Sequence, residues 1–328
     1  MVRIQDIAKA ANVSSATVSR CLRKDPSLSL SSETGKRIYE IALSLGYKNL
    51  KTLKKPDEFL VVHKDSHFLD HVDNGYYFSI RSGIEEFIAE NGDICRFVPL
   101  SRLEMEDHPY TGVLVVGNYP PDEVKRIHSL VKNDNIVFVG KLNFFPECFD
   151  TVTYDVEACV RLALDALVSH GMKEMLFLDG KDRCQIPANY LKITHVRNYL
   201  LAHPCLILRD FIECEGFGSD AGYQAMSEYL LRNKSVPEAI FTGTDPLAIG
   251  VSKALNEHGL QLGSAVHLVS LNGDNSGQWI SPPLTTVDFH SKLMGREAAR
   301  LAKENAKSNE RTPKCVYFKP VLLEGKSL

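Results

Sequence analysis

Cysteine pairs at metal-ligand spacing are missing from this 328-residue chain, although it has eight cysteines. They stand at positions 21, 95, 148, 159, 184, 205, 214 and 315, with no Cys-x-x-Cys among them. That pattern excludes a zinc ribbon or finger and fits thiols used as small core fillers in a reducing compartment. No apolar run approaches the roughly 20 residues that cross a membrane. The N-terminus carries Arg3, Asp6 and Lys9 where a secretory signal needs an uninterrupted apolar segment. A Gly-rich phosphate loop, a Gly-x-Ser-x-Gly nucleophile elbow and a His-Glu-x-x-His metal motif are also absent. The chain therefore reads as a cytoplasmic protein that is not an enzyme and needs no cofactor. His63, His67 and His71 lie four apart, but "HKDSHFLDHVDNG" reads as a strand-end loop with solvated histidines rather than a metal site.

Charge, by contrast, is concentrated. Residues 1–56 hold eleven Lys/Arg against four Asp/Glu, a net +7. The whole chain is −3, so the remainder carries −10. A basic head on an acidic body is the asymmetry of a module that binds a polyanion. Within that head, "IQDIAKAANVSSATVSRCL" reads as two short helices joined by a tight turn. Ile4, Ile7 and Ala8, then Val18 and Leu22, recur at helical spacing. Asn12 suits the left-handed backbone of the turn, and Ser14 stands where an N-cap belongs. The second helix then exposes Ser15, Ala16, Thr17, Ser19 and Arg20. Short side chains allow close approach to a DNA major groove, and Arg20 can read a guanine edge. A third helix is expected from about Ser32 to Leu45, capped by Ser31 or Ser32 and stopped by Gly46, with Ile38, Ile41, Ala42 and Leu45 as its buried stripe.

From Phe59 onward, short apolar runs alternate with helical patterns in two successive series. Alternation at this spacing predicts parallel sheets with helices on both faces, and two series predict two sheets. Ligands in such folds bind beyond the carboxyl ends of the strands.

"IQDIAKAANVSSATVSRCL" followed by "SSETGKRIYEIALSLGYK" resembles the headpiece of the lactose-repressor (LacI/GalR) family of bacterial transcription regulators. "GYYFSIRSGIEEFIAENG", "LVSHGMKEMLFLDG", "AIFTGTDPLAIGVSKALNEHGL" and "ISPPLTTVDFHSKLMGREAARL" follow in the family's order and spacing, so the resemblance runs nearly end to end. "KDPSLSLSSET" and "NGYYFSIRSGIEE" look closest to the evolved-β-galactosidase repressor branch. The fold implied is α/β: an N-terminal all-α helix-turn-helix headpiece plus two-lobed, periplasmic-binding-protein-like, doubly wound parallel sheets. The implied domains are a headpiece at 1–48, a linker at 49–58, one lobe at 59–153 with 291–317, and a second at 154–290 with 318–328. Interlobe crossings are placed near 153–155, 287–290 and 317–318. The implied function is a dimeric repressor of sugar-utilisation genes on a near-palindromic DNA operator, nucleoid-associated and controlled by a small effector, a saccharide, bound between the lobes. A solute-binding transport protein and a regulator of a non-sugar effector such as a nucleobase are the alternatives.

Residue by residue, the resemblance makes Ser15 and Ala16 the operator-varying positions and Arg20 the main base reader. Ser14, Thr17, Ser19, Ser31, Thr34 and Tyr47 match positions that bond the DNA backbone, and Arg23 stands where the family often has Asn. "KNLKTLKKP" is shorter than the usual hinge helix. Leu53, with Leu50 second, is its candidate minor-groove wedge, or the segment is a basic tether. For the effector, strand ends nominate Asp65, Tyr77, Arg102, Thr244, Asp245, Asn272 and Trp279. Asp245 alternatively caps a helix beginning at Pro246, and Trp279, the single tryptophan, either lines the cleft or plugs its lobe. Where the family places an effector-clamping Arg, the register gives Leu191, with Lys192 facing elsewhere.

Overall fold

Among the described residues, the first of two units, residues 1–56, holds the helices α1 (Ile4–Ala11), α2 (Ser15–Leu22) and α3 (Ser32–Ser44). The computed structural model describes residues 2–23, 25, 28, 30–47, 56–68, 74–140, 144–181, 191–233, 235–308 and 311–328. Local chemistry sets the helix ends. Asn12 takes the left-handed conformation (φ 52°, ψ 48°) that stops α1. Ser14 accepts the Thr17 N–H at 3.0 Å and Ser31 accepts the Thr34 N–H at 3.2 Å, each cap worth about 1 kcal/mol. Ile7, Ala11, Val18, Ile38 and Ala42 are buried together, with Ile41 and Leu22 half-buried around them. Leu45 departs from its expected place in α3's stripe. It is 40% exposed, because α3 ends at Ser44 and the chain turns into Gly46 (φ 70°), carrying Leu45 off the helix face.

The second unit, residues 57–328, holds two six-stranded sheets. The first is built from β1 (Glu58–His63), β2 (Ile94–Pro99), β3 (Gly112–Val116), β4 (Ile136–Val139), β5 (Asp150–Tyr154) and β11 (Cys315–Phe318), in the order β11-β5-β4-β3-β1-β2. The second is built from β6 (Glu174–Gly180), β7 (Ile207–Cys214), β8 (Ala239–Thr242), β9 (His267–Asn272), β10 (Thr285–Asp288) and β12 (Val321–Leu323), in the order β12-β10-β9-β8-β6-β7. All pairings are parallel except β10 with β12. Phe59–Val62 and Val113–Val116 are fully buried, which is why these strands read as unbroken apolar runs: helices cover both faces.

The connecting helices are α4 (Gly75–Glu90), α5 (Pro121–Val131), α6 (Val156–Ser169), α7 (Lys192–Ala202), α8 (Ser219–Arg232), α9 (Asp245–Glu257) and α10 (Ser291–Asn305). The chain passes from the first lobe to the second after Tyr154, returns after Asp288, and passes across again after Phe318. Tyr154 and Phe289, at two of these crossings, stack at 3.9 Å, and Tyr76 meets both edge-on.

Each lobe locks one helix pair through reciprocal glycines. A Cβ on Gly83 of α4 would stand 1.9 Å from the Lys292 carbonyl, and one on Gly295 of α10 would stand 2.0 Å from the Ile80 carbonyl. Gly222 of α8 and Gly250 of α9 face the Leu247 and Ser219 carbonyls in the same way, at 2.3 and 1.9 Å. Backbone therefore packs on backbone in both lobes.

Candidate functional site

Two regions bring chemistry-bearing side chains together. The first is the outer face of α2. Ser15, Ala16 and Arg20 are exposed there, Thr17 and Ser19 are half-exposed, and Arg23 is exposed at the C-cap. The hydroxyls of Ser14 and Ser31 are already engaged as caps, and each also lies within hydrogen-bond distance of its Thr partner, at 2.7 Å to Thr17 and 2.8 Å to Thr34. Arg20 Nε donates to Asp25 at 2.9 Å. This pair is partly exposed on both sides, so it holds Arg20 weakly and leaves the guanidinium able to exchange partners. Tyr47 is half-buried. Leu53 and Leu50 lie outside the described residues.

The second region is the cleft between the two sheets, a cavity of about 590 Å³. Lys64, His67, Tyr76, Tyr77 and Asn118 line it from the first lobe, and Lys181, Lys192, Phe217, Thr244 and Asn272 from the second; Tyr154 and Phe289 close it at the crossings. These residues follow the carboxyl ends of β1, β3, β6, β7, β8 and β9 or open the helices beyond them, as open α/β sheets require. His67 stacks on Tyr77 at 3.6 Å, and burial pushes its pKa down to about 3, so the ring is neutral. The Tyr76 hydroxyl is buried with no hydrogen-bond partner among the described residues. A buried orphan hydroxyl on a cavity wall calls for a bound water or ligand group. Lys192 Nζ donates to Asp179 Oδ1 at 2.9 Å, and both side chains are largely buried. Gly243 makes room for the pair: a Cβ there would lie 1.9 Å from Asp179 Oδ1 and 3.0 Å from Lys192 Nζ. Asn272 sits at φ 126°, a backbone region rarely adopted by residues with side chains and one that clusters at functional sites.

Behind the cleft wall, Asp245 is fully buried and accepts the Asp274 N–H at 2.7 Å and the Thr286 hydroxyl at 2.6 Å. Burial, then the Asp274 charge, pushes Asp245 up to about 8. Burial, then the Asp288 charge, pushes Asp274 up to about 6, against a hydrogen bond from Asn272. The folded chain thus keeps protons that the unfolded chain has released above about pH 4. Stability from this pair is lost as pH rises through 6 and 8. His67 acts oppositely, but only below about 6.5, where the unfolded ring takes up a proton and the folded one does not. Between pH 6.5 and 8.5 the acid pair acts alone of these groups. The unfolding free energy should fall there by roughly 1–2 kcal/mol, at about 1.4 kcal/mol per mismatched proton and pH unit. Below 6.5 His67 offsets only one of the two protons the acid pair retains, so the free energy should go on rising as pH falls toward 4. Urea titrations at half-unit pH steps measure this; stability that holds or rises to pH 8.5 contradicts it.

Residues 3–49 match the profile of bacterial regulatory proteins of the lacI family, and residues 164–328 match the periplasmic binding protein-like domain. The HTH-type transcriptional regulator GanR of Bacillus subtilis (strain 168) is 30% identical over 335 residues, covering 100% of both chains. The chain belongs to the lacI family of bacterial regulatory proteins. Another family relative, the HTH-type transcriptional regulator GalR of Streptococcus thermophilus, is 29% identical over 327 residues, covering 95% of each chain. Among solved structures, a complex of the transcriptional regulator CelR with cellobiose superposes with a TM-score of 0.71 at 21% identity, covering 100% of both chains. A lac repressor dimer bound to operator and the anti-inducer ONPF does so at 0.67 and 18% identity, covering 99% of this chain and 98% of that one. These likenesses show the shared fold.

Within the cleft, the strand-end nominations divide. Tyr77, Thr244 and Asn272 line the cleft; Asp65, Arg102, Asp245 and Trp279 do not. Asp65 is exposed in the turn Asp65–Phe68, where its carboxylate accepts from Ser101, and the same turn carries His67 inward instead. Arg102 is exposed beyond β2, the outermost strand of its sheet. Asp245 neither faces the cleft nor caps α9: Thr244 is the cap, accepting from the Leu247 N–H, and Asp245 turns back into the lobe. Trp279 is 88% exposed, neither lining the cleft nor plugging the lobe. His63 and His67 are buried rather than solvated, and His71 lies outside the described residues. Lys192, not Leu191, enters the cleft, because Leu191 is the N-cap of α7 and Lys192 its first helical residue. Among the described residues, no group of three or more His, Cys, Asp or Glu side chains could hold a metal ion. A second cavity of about 540 Å³, lined by Val124, Phe145, Phe149 and Arg311, opens at the amino ends of β4, β5 and β11, opposite the ligand end of that sheet.

Proposed function

We propose that this lacI-family chain is a cytoplasmic, nucleoid-associated transcriptional regulator, a repressor that binds a near-palindromic operator as a homodimer and releases or tightens it when a saccharide occupies the cleft. The observation that carries the DNA half is the capped, short-side-chained outer face of α2 on a unit of net charge +7. Arg20 reads a base edge, Ser15 and Ala16 set local fit, and Ser14, Thr17, Ser19, Arg23, Ser31, Thr34 and Tyr47 position the headpiece on phosphates. Leu53 is the candidate minor-groove wedge of the linker, with a basic tether to phosphates as the alternative. For the effector half, aromatic faces of Tyr77, Phe217 and Phe289 stand beside a buried donor–acceptor pair, Lys192 and Asp179, and an orphan Tyr76 hydroxyl. That mixture suits the apolar face and hydroxyl rim of a sugar ring. The family's relatives named above are regulators, which supports a binding function rather than an enzymatic one.

A gel shift on DNA selected by the chain from a random pool tests the reading. Arg20→Ala should lower affinity for the selected site by about 10- to 100-fold, the cost of one bidentate base contact, while binding to unrelated DNA stays. Equal loss on both DNAs would make Arg20 a phosphate contact. Adding mono- and disaccharides should shift the selected complex; a response to nucleobases alone would replace the saccharide reading.

A further inference from the structure

Asp274 follows β9 in the second lobe, yet its carboxylate faces the first. A Cβ placed on Gly75, the first residue of α4, would lie 3.0 Å from the Asp274 carboxyl carbon and from one oxygen, and 3.3 Å from the other. The first turn of a helix leaves backbone N–H groups that need outside partners and carries the positive end of the helix dipole. The local cap is weak: Asn74, at the N-cap position, makes no side-chain cap bond. Asp274 does not spend its carboxylate on its own turn either, since it stands at the start of the Asn275–Trp279 turn without a side-chain cap bond. It is 7% exposed and does not line the cleft cavity. Burial and the nearby Asp288 charge make the position costly, and the Asn272 Nδ2 donation at 3.3 Å offsets only part of that cost. A carboxylate so placed needs a compensating positive field, and the α4 terminus across the lobe gap supplies one.

We propose that Asp274 is the interlobe latch of this protein, a positioning residue whose carboxylate caps α4 and holds the two lobes closed over the cleft. Gly75 is the matching half, because any side chain there would push the carboxylate away. The purpose of closure rests on the reading of the cleft as the effector site, but the contact itself is testable without effector.

Hydrogen–deuterium exchange on the full chain, with no ligand added, reads the cap through residues 74–80. Amine acetylation by acetic anhydride, followed by mass spectrometry, reads closure through Lys192, which is 5% exposed. Asp274→Ala should speed exchange in 74–80 at least fivefold and acetylation of Lys192 at least threefold, with residues 247–257 of α9 unchanged. Asp274→Asn, which keeps an acceptor but not the charge, should fall between. Unchanged exchange in 74–80 overturns the cap, and unchanged Lys192 labelling overturns the latch. If Asp274→Ala also loosens α9, Asp274→Asn decides: wild-type values in both readouts overturn the proposal. DNA binding does not enter either readout, so failure here leaves the regulator reading standing.

Discussion

Raising salt from 50 to 200 mM weakens operator binding by about a thousandfold or more. This is the largest effect expected of the molecule, and it comes from residues 1–56. Their eleven basic residues, against four acids, would meet phosphates rather than bases in all but one or two cases. Each neutralised phosphate releases a counterion, so a dimer making 6–10 such contacts loses roughly 10³- to 10⁵-fold in affinity over that range. The remaining −10 of the chain adds repulsion toward DNA and cannot substitute for the headpiece. Fluorescence anisotropy at five salt concentrations gives the slope. A slope near zero would remove the DNA-binding reading altogether, since no apolar surface of α2 is large enough to bind DNA without phosphates.

Lys192→Met destabilises the lobes by about 3–5 kcal/mol, because it strands the Asp179 carboxylate in a buried wall. Replacing both partners, Lys192→Met with Asp179→Leu, restores most of that loss, since an apolar pair of similar volume leaves no charge unpaired. The lysine also stands at the first position of α7, the end of a helix where a cation is least favoured. A stabilising role alone would therefore place it poorly. The double variant separates stability from recognition: refolded and stable, it should still lose saccharide binding by roughly 10-fold or more, the worth of a hydrogen bond to a charged group. Chemical denaturation gives the first result and a thermal-shift series with saccharides the second. A double variant that binds as the wild type does would remove the pair from the effector site.

The sequence is most legible where structure is decided locally. Asn12, Ser14 and Ser31 each act on residues within four positions, and each does what its chemistry predicts. The parallel sheets are legible for a related reason: strands covered on both faces must be apolar throughout. The cleft is less legible because partners far along the chain choose which side chains face it. Asp245 was a reasonable cap by spacing, but Asp274 and Thr286, 29 and 41 residues on, draw its carboxylate inward and leave the capping to Thr244. Lys192 is not legible as a cleft residue because its direction depends on where α7 begins: with Leu191 as the N-cap, Lys192 stands at the helix end that faces the cleft. A lone tryptophan suits either a cleft wall or a lobe core, and Trp279 takes neither place. Its position in a turn at the lobe surface follows from tertiary packing that no pattern in the sequence announces.

The reciprocal glycines of α4 with α10 and of α8 with α9 have a mechanical meaning. Where backbone meets backbone, there are no side-chain rotamers to absorb a displacement. Each lobe therefore behaves as a stiff plate, and compliance is left to the three short crossings after Tyr154, Asp288 and Phe318. A ligand that moves one wall of the cleft by a fraction of an ångström turns a whole plate, and the far edge travels further than the wall that was pushed. Leverage of that kind lets a small molecule produce displacements larger than itself.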